Sequence, residues 1–175
     1  MEEVIDFKAV DYTGMNCVML ACWGGDLDGL KYLIEKGGSL DVVDKDGQSC
    51  LHVACFGKHF DIVKYLLDEG MDVNMPDKYN FTALHNVCYE KPKLSILKIL
   101  LNAGADVNAR DTDEFTPFMC LCVRGDKEAI KLMLDAGSDW RLKNKYGETG
   151  LDYARRYKNK EVAEWLEQYI NKLEI

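Results

Sequence analysis

Apolar residues along this chain recur as short stripes at helical spacing. Leu30, Leu33 and Ile34 form the first stripe, and Ile62, Val63, Leu66 and Leu67 the second. Ile96, Leu97, Leu100 and Leu101 form the third, then Ile130, Met133 and Leu134, then Val162, Ala163, Leu166 and Ile170. Spacing of i, i+3, i+4 puts apolar side chains on one side of a helix, and that side must be buried. Glycine follows the stripes at Gly37-Gly38, Gly70 and Gly104, where it enters the left-handed helix end without steric cost. A shorter apolar segment precedes each stripe. The pattern predicts pairs of helices, the first pair over roughly residues 16–23 and 27–35.

The pairs recur in register. Residues 44–76 slide by 33 onto their neighbours. Gly47, Ala54, Cys55, Leu66 and Gly70 then fall on Gly14, Ala21, Cys22, Leu33 and Gly37. A fixed period of this size marks a repeat array, in which no unit buries its apolar face alone. Five units are expected, over residues 11–43, 44–76, 77–110, 111–143 and 144–170. Residues 1–10 read as an N-terminal extension forming a thin cap, with Cys17, Val18 and Leu20 partly covered. Residues 171–175 read as a tail. Ser49 and Thr82 stand where a hydroxyl can cap a helix start. Thr116-Pro117 opens another, since proline at the first turn forfeits no hydrogen bond. The third unit carries one extra residue between Tyr89 and Leu94, including Pro92. The last unit adds Glu164, Glu167 and Gln168, the polar outer face a terminal repeat needs.

Within this register the chain resembles the ankyrin repeat family. The motif is Q-S-C-L-H-V-A in the second unit, F-T-A-L-H-N-V in the third and F-T-P-F-M-C-L in the fourth, with D-V-N closings at 72–74 and 106–108. The resemblance implies an all-α solenoid of stacked helix–turn–helix units joined by β-hairpin fingers, with a concave face. It also implies a glycine at the fourth position of each unit, where the finger turns. Gly14, Gly47 and Gly147 comply. Asn80 tolerates positive φ. Glu114 does not, so a strained or rearranged finger is expected there. His52 and His85, in the L-H of the motif, are expected to tie loops together. Asn74 and Asn108 match asparagines that an asparaginyl hydroxylase modifies in the family, with Leu66 and Leu100 eight residues upstream.

The chemistry of the chain argues against catalysis. Three histidines all read as structural, His59 in an inter-helix turn. No phosphate loop, dinucleotide fingerprint or metal-spaced His/Glu motif occurs. Asp-x-Asp pairs such as Asp44 with Asp46 read as solvated loops and helix starts. Cys22, Cys55, Cys88 and Cys122 occupy one repeat position and read as core atoms. Their neighbours in that column should stand ~8–10 Å apart, too far for a bridge. Neither a cofactor nor a metal is expected. The longest apolar run, residues 17–23, is too short for a membrane span, and no leader or lipidation motif is visible. The expectation is a monomeric protein of the cytoplasm, also compatible with the nucleus.

Net charge is −8. Residues 1–76 hold 14 acidic and 6 basic side chains, and residues 77–175 hold 16 of each, so the first half carries the whole excess. That asymmetry favours a basic neighbour and disfavours nucleic acid.

Function should lie at positions that point outward, the second, third, fifth, thirteenth and fourteenth of each unit. Tyr12, Trp23, Phe56, Tyr79, Phe81, Tyr89, Phe115, Tyr146 and Tyr157 all fall there. Those 25 positions hold nine aromatics, as many as the other 150 residues together. Exposed aromatics in a row mark a binding surface. Tyr79, Phe81 and Phe115 are expected to be partly structural. Arg141, Lys143, Lys145, Arg155 and Arg156 form a basic stretch that reads as a soluble capping repeat, or alternatively as a seat for an acidic partner. The expected function is a non-catalytic interaction module, acting as adaptor, chaperone or inhibitor on a partner protein. A structural subunit stacking through its repeat ends is the alternative.

Overall fold

The computed structural model describes residues 5–173, so residues 1–4 of the extension and 174–175 of the tail lie outside the described residues. The inner helices are α1 (Cys17–Gly24), α3 (Cys50–Phe56), α5 (Ala83–Tyr89), α7 (Pro117–Arg124) and α9 (Gly150–Arg156). The outer helices are α2 (Leu27–Glu35), α4 (Phe60–Asp68), α6 (Leu94–Asn102), α8 (Lys127–Asp135) and α10 (Lys160–Leu173). Each inner helix packs on the next inner helix and on its own outer partner. One continuous core results, running from Val18 to Leu166. Inner helices of seven or eight residues are too short to persist alone, so their stability comes from this packing. The last helix runs three residues past the expected end of the fifth unit.

The helix starts are built by the expected caps, with one addition. Thr116 accepts from Met119 N, and Pro117 is the first helical residue. At α3 the Ser49 amide donates to His52 Nδ1 at 3.2 Å, and at α5 the Thr82 amide donates to His85 Nδ1 at 3.2 Å. Accepting at Nδ1 leaves the proton on Nε2. That nitrogen donates to the next finger, His52 to Phe81 O at 3.0 Å and His85 to Phe115 O at 3.2 Å. Each ring therefore joins a helix start to the following repeat. His59 makes a different tie, from Nε2 to Trp23 O at 2.9 Å.

The fingers are tight turns more than hairpins, with two isolated bridges, Val10 to Asn16 and Val43 to Ser49, among the described residues. Each is knotted by its first residue. The Asp44 amide donates to Gln48 O, and Asp44 Oδ1 accepts from the amides of Asp46 and Gln48, both at 2.9 Å. Asp11, Asp77, Asp111 and Asn144 repeat the arrangement. The leading aspartates are therefore structural knots as well as loop residues. Hydrogen bonds to the charged form hold the Asp11 carboxyl below its ordinary range, that from Thr13 foremost.

Adjacent fingers are also linked by backbone. Lys45 N donates to Thr13 O, Lys78 N to Asp46 O, Thr112 N to Tyr79 O and Lys145 N to Asp113 O.

The fourth finger keeps the common shape and takes the strain. Glu114 stands at φ 58°, and its amide donates to Asp111 O at 2.9 Å, as Gly47 does to Asp44 O at 3.1 Å. Lys58 and Lys158 also adopt φ of 60°, in the turns between paired helices.

The N-terminal cap is less thin than expected. Phe7 packs against the core, Asn16 Nδ2 donates to Phe7 O, and Val18 is fully buried. Cys17 is half-buried and only Leu20 is exposed.

Two outcomes follow from this architecture. Glu114→Gly relieves the left-handed strain and loses only an exposed ion pair with Arg110. It should raise stability by roughly 0.5–1 kcal/mol, and an unchanged or lower denaturation midpoint would contradict this. Burial, which disfavours the charged ring, lowers the pKa of His52 and His85 below the ordinary value of about 6.5. As pH falls below that value the unfolded chain takes up protons first, so stability present at neutral pH is lost on acidification. Proton NMR titration should place both ring midpoints below 6.5.

Candidate functional site: the groove between fingers and inner helices

Residues at the third and fifth positions of a finger meet residues at the tenth, thirteenth and fourteenth positions of the inner helices. This is seen directly in a cleft of about 380 Å³ spanning the third to fifth repeats. Tyr89, Phe115, Tyr146, Tyr153 and Tyr157 wall it, with Val123 and Cys120 between them. Four of the nine singled-out aromatics, Tyr89, Phe115, Tyr146 and Tyr157, thus line one cleft. Trp23, Phe56 and Tyr89 share the thirteenth position and are each about half exposed, at 51%, 52% and 54%. Tyr12, Tyr79, Tyr146 and Tyr157 are exposed as well.

Phe81 and Phe115 behave differently. Both are only partly exposed. Phe81 stacks on His85 with ring centres 4.9 Å apart, and Phe115 meets Tyr153 edge-on at 4.8 Å. Their rings brace the histidine tie and the tyrosine floor. Tyr79, expected to be partly structural, is instead among the open rings at 56% exposure.

The rings of the C-terminal half carry the chain's own cations. Arg124 lies over Tyr89 with its guanidinium carbon 5.2 Å from the ring centre, and also donates to Tyr89 O. Lys145 lies over Tyr146 at 5.1 Å and Arg156 over Tyr153 at 5.1 Å. Tyr153 is nearly buried, its hydroxyl accepts from Asn144 Nδ2, and burial chiefly raises its pKa. Tyr153 and Arg124 are not legible as site residues in the sequence. The first sits at a position expected to face inward, and the second is unremarkable until its height over Tyr89 is known.

The basic stretch is largely paired within the chain. Arg155 bonds Glu167 at 2.7 Å, Arg156 pairs with Glu148, Lys145 with Asp113, and Arg141 reaches Asp139 at 3.7 Å. The hydrogen bond to Asp113 is the main reason the Lys145 ammonium titrates above its ordinary range. Lys143 is exposed and joins no ion pair among the described residues. This geometry favours the capping-repeat reading.

Asn74 and Asn108 act as ties on the opposite edge. Asn74 Oδ1 accepts from Asp106 N at 2.7 Å and its amide donates to Gly104 O, while Asn108 Oδ1 accepts from Asp139 N at 2.8 Å. A hydroxylase would have to reach an amide engaged with the next loop.

The cysteines are core atoms, with one unexpected neighbour. Cys22 stands within hydrogen-bonding reach of Cys50, which with burial pushes its thiol upward. The spacing within the Cys22 column left out this contact, because it joins the twelfth position of one repeat to the seventh of the next. Burial raises the thiols of Cys55, Cys88, Cys120 and Cys122. Raised thiol pKa is the reverse of what a nucleophile needs. Among the described residues no group of three or more His, Cys, Asp or Glu is placed to hold a metal. No helix there is long and apolar enough to cross a membrane.

Comparison with known proteins agrees with this architecture. The family model for ankyrin repeats, built of 3 copies, matches residues 18–111 and 84–174. The chain belongs to the ankyrin repeat family. Ankyrin repeats are in general non-catalytic modules for protein–protein interaction. No curated protein matches the chain.

Six of the seven cysteines are buried, Cys17 alone being intermediate. Ellman's reagent should therefore titrate at most one thiol rapidly in the native protein and seven after denaturation. Rapid reaction of two or more native thiols would contradict the packing.

Proposed function

We propose that this protein is a non-catalytic binder that holds a segment of a partner protein along the groove between its fingers and inner helices. The observation that carries the reading is the row Trp23, Phe56 and Tyr89, three large rings at one register position, each half open to solvent. Rings that only stabilise the stack are drawn inward, as Phe81 and Phe115 are. Large rigid side chains left open in a row offer contact area at small entropic cost, which is what interface hot spots use. Roles as adaptor, chaperone or inhibitor all rest on such a grip. Stacking through the repeat ends is less favoured, because Phe7 covers the first helix pair and Val18 is buried.

Replacing Trp23, Phe56 and Tyr89 together with alanine should abolish capture of the native partner while leaving helix content and the cooperative fold intact. Full capture by the folded triple variant would overturn the groove reading. Light scattering that shows concentration-dependent chains of subunits would favour end-to-end stacking instead.

A further inference from the structure

The two halves of the groove differ in how their charges are met. Of the ten ion pairs among the described residues, nine lie in repeats three to five or between them, and only Lys64–Asp68 lies in the first two repeats. Yet residues 1–76 carry the entire net charge of −8. Among the described residues of this half only Asp68 is neutralised by a lysine or arginine, although Asp11, Asp26, Asp44 and Asp72 hold backbone amides, so the negative field is left to act outside the chain.

The rings differ in the same way. The chain itself shows how this groove holds a guanidinium. Arg124, at the fourteenth position of repeat four, lies 5.2 Å over Tyr89, at the thirteenth position of repeat three, with the Glu90 carboxylate 3.8 Å away. Moving that register back one repeat puts Glu90 beside Phe56. Moving it back two puts Gly57 beside Trp23. Neither position supplies a cation, and no cation of the described residues lies over Trp23 or Phe56. Gly57 cannot be filled from within, since a Cβ there would stand 2.5 Å from the His59 ring and 2.9 Å from Trp23 O. Across the groove, Asp46 holds the place that Asp113 holds in the C-terminal cleft. Lys145 neutralises Asp113, whereas Asp46 joins no ion pair among the described residues. The two nearby lysines turn to backbone, Lys45 to Tyr12 O and Lys78 to Lys45 O.

We propose that the groove over the first three repeats takes an arginine-bearing basic segment of the partner protein, with guanidinium groups stacked on Phe56 and Trp23 and facing Glu90 and Asp46. This rests on the groove reading above and assigns chemistry to its N-terminal half. Arginine fits better than lysine, because its planar, weakly hydrated head stacks on a ring while its edge donates to a carboxylate. The acidic field raises the rate of encounter, and the rings supply contact that screening by salt does not remove.

The probe is a short capped peptide of alternating arginine and glycine, fluorescently labelled and titrated at low and physiological ionic strength, with its glutamate–glycine counterpart as comparison. Trp23→Ala and Phe56→Ala should each weaken binding by about two- to fivefold, and together on the order of tenfold. Glu90→Arg, which brings the chain's own guanidinium to Phe56, should weaken it more than Glu90→Gln. Tyr32→Ala, an exposed ring of the same acidic half on an outer helix, should leave it unchanged. Circular dichroism and melting confirm that each variant is folded. The proposal is overturned if the folded double variant binds as well as the native protein, if Tyr32→Ala costs as much, or if the glutamate peptide binds equally. If the arginine peptide ignores Trp23 and Phe56 while the triple variant still loses the native partner, the groove reading stands and this assignment falls.

Discussion

Everything in this molecule depends on the burial of one repeat's inner helix against the next. Helices of seven to nine residues carry too few internal hydrogen bonds to pay for their own ordering, so none of the first nine would persist in isolation. Stacked, they share a core in which Leu30, Leu66, Leu84, Leu97 and Leu121 lose all or nearly all contact with water. Nearest-neighbour burial of this kind makes stability a property of interfaces between units. It also explains the polar outer surface of α10, which has a neighbour on one side only.

Stacking alone would let units slide, and polar ties set the offset. Each finger is closed by a leading aspartate or asparagine that collects its amides, so its shape is locally determined. Neighbouring fingers are then joined by a backbone hydrogen bond, helix starts by the rings of His52 and His85, and the far loops by Asn74 and Asn108. The bonds of His52, His85 and Asn108 are partly shielded, and leaving one partner unpaired there would cost more than making the bond gains. The strain at Glu114 persists for this reason. The knot at Asp111 and the links on either side specify the turn more strongly than one residue's φ preference opposes it.

With the scaffold fixed this way, the outward positions are free to vary, and they vary with a direction. The thirteenth position reads Trp23, Phe56, Tyr89, Val123, Arg156 from first repeat to fifth. The rings are open and uncovered at the acidic end. Toward the other end they are capped by the chain's own arginines and lysines, and the surrounding charges are paired. One end of this row is thus unmet and the other neutralised from within the chain.

Much of this was legible in the residues themselves. The period, the helix pairs, the caps at Ser49, Thr82 and Thr116 and the excess of aromatics at outward positions are local or strictly periodic, so reading the chain at the right spacing reveals them. The conflict at Glu114 was visible for the same reason, although only the folded structure shows that it is resolved by strain. Contacts between repeats were decided by the tertiary structure, because they depend on the offset between stacked units. That offset turned Phe81 and Phe115 inward while leaving Tyr79 open, set Cys22 beside Cys50, and laid Arg124 over Tyr89. A repeat register says which residues are equivalent. Packing decides which of them meet.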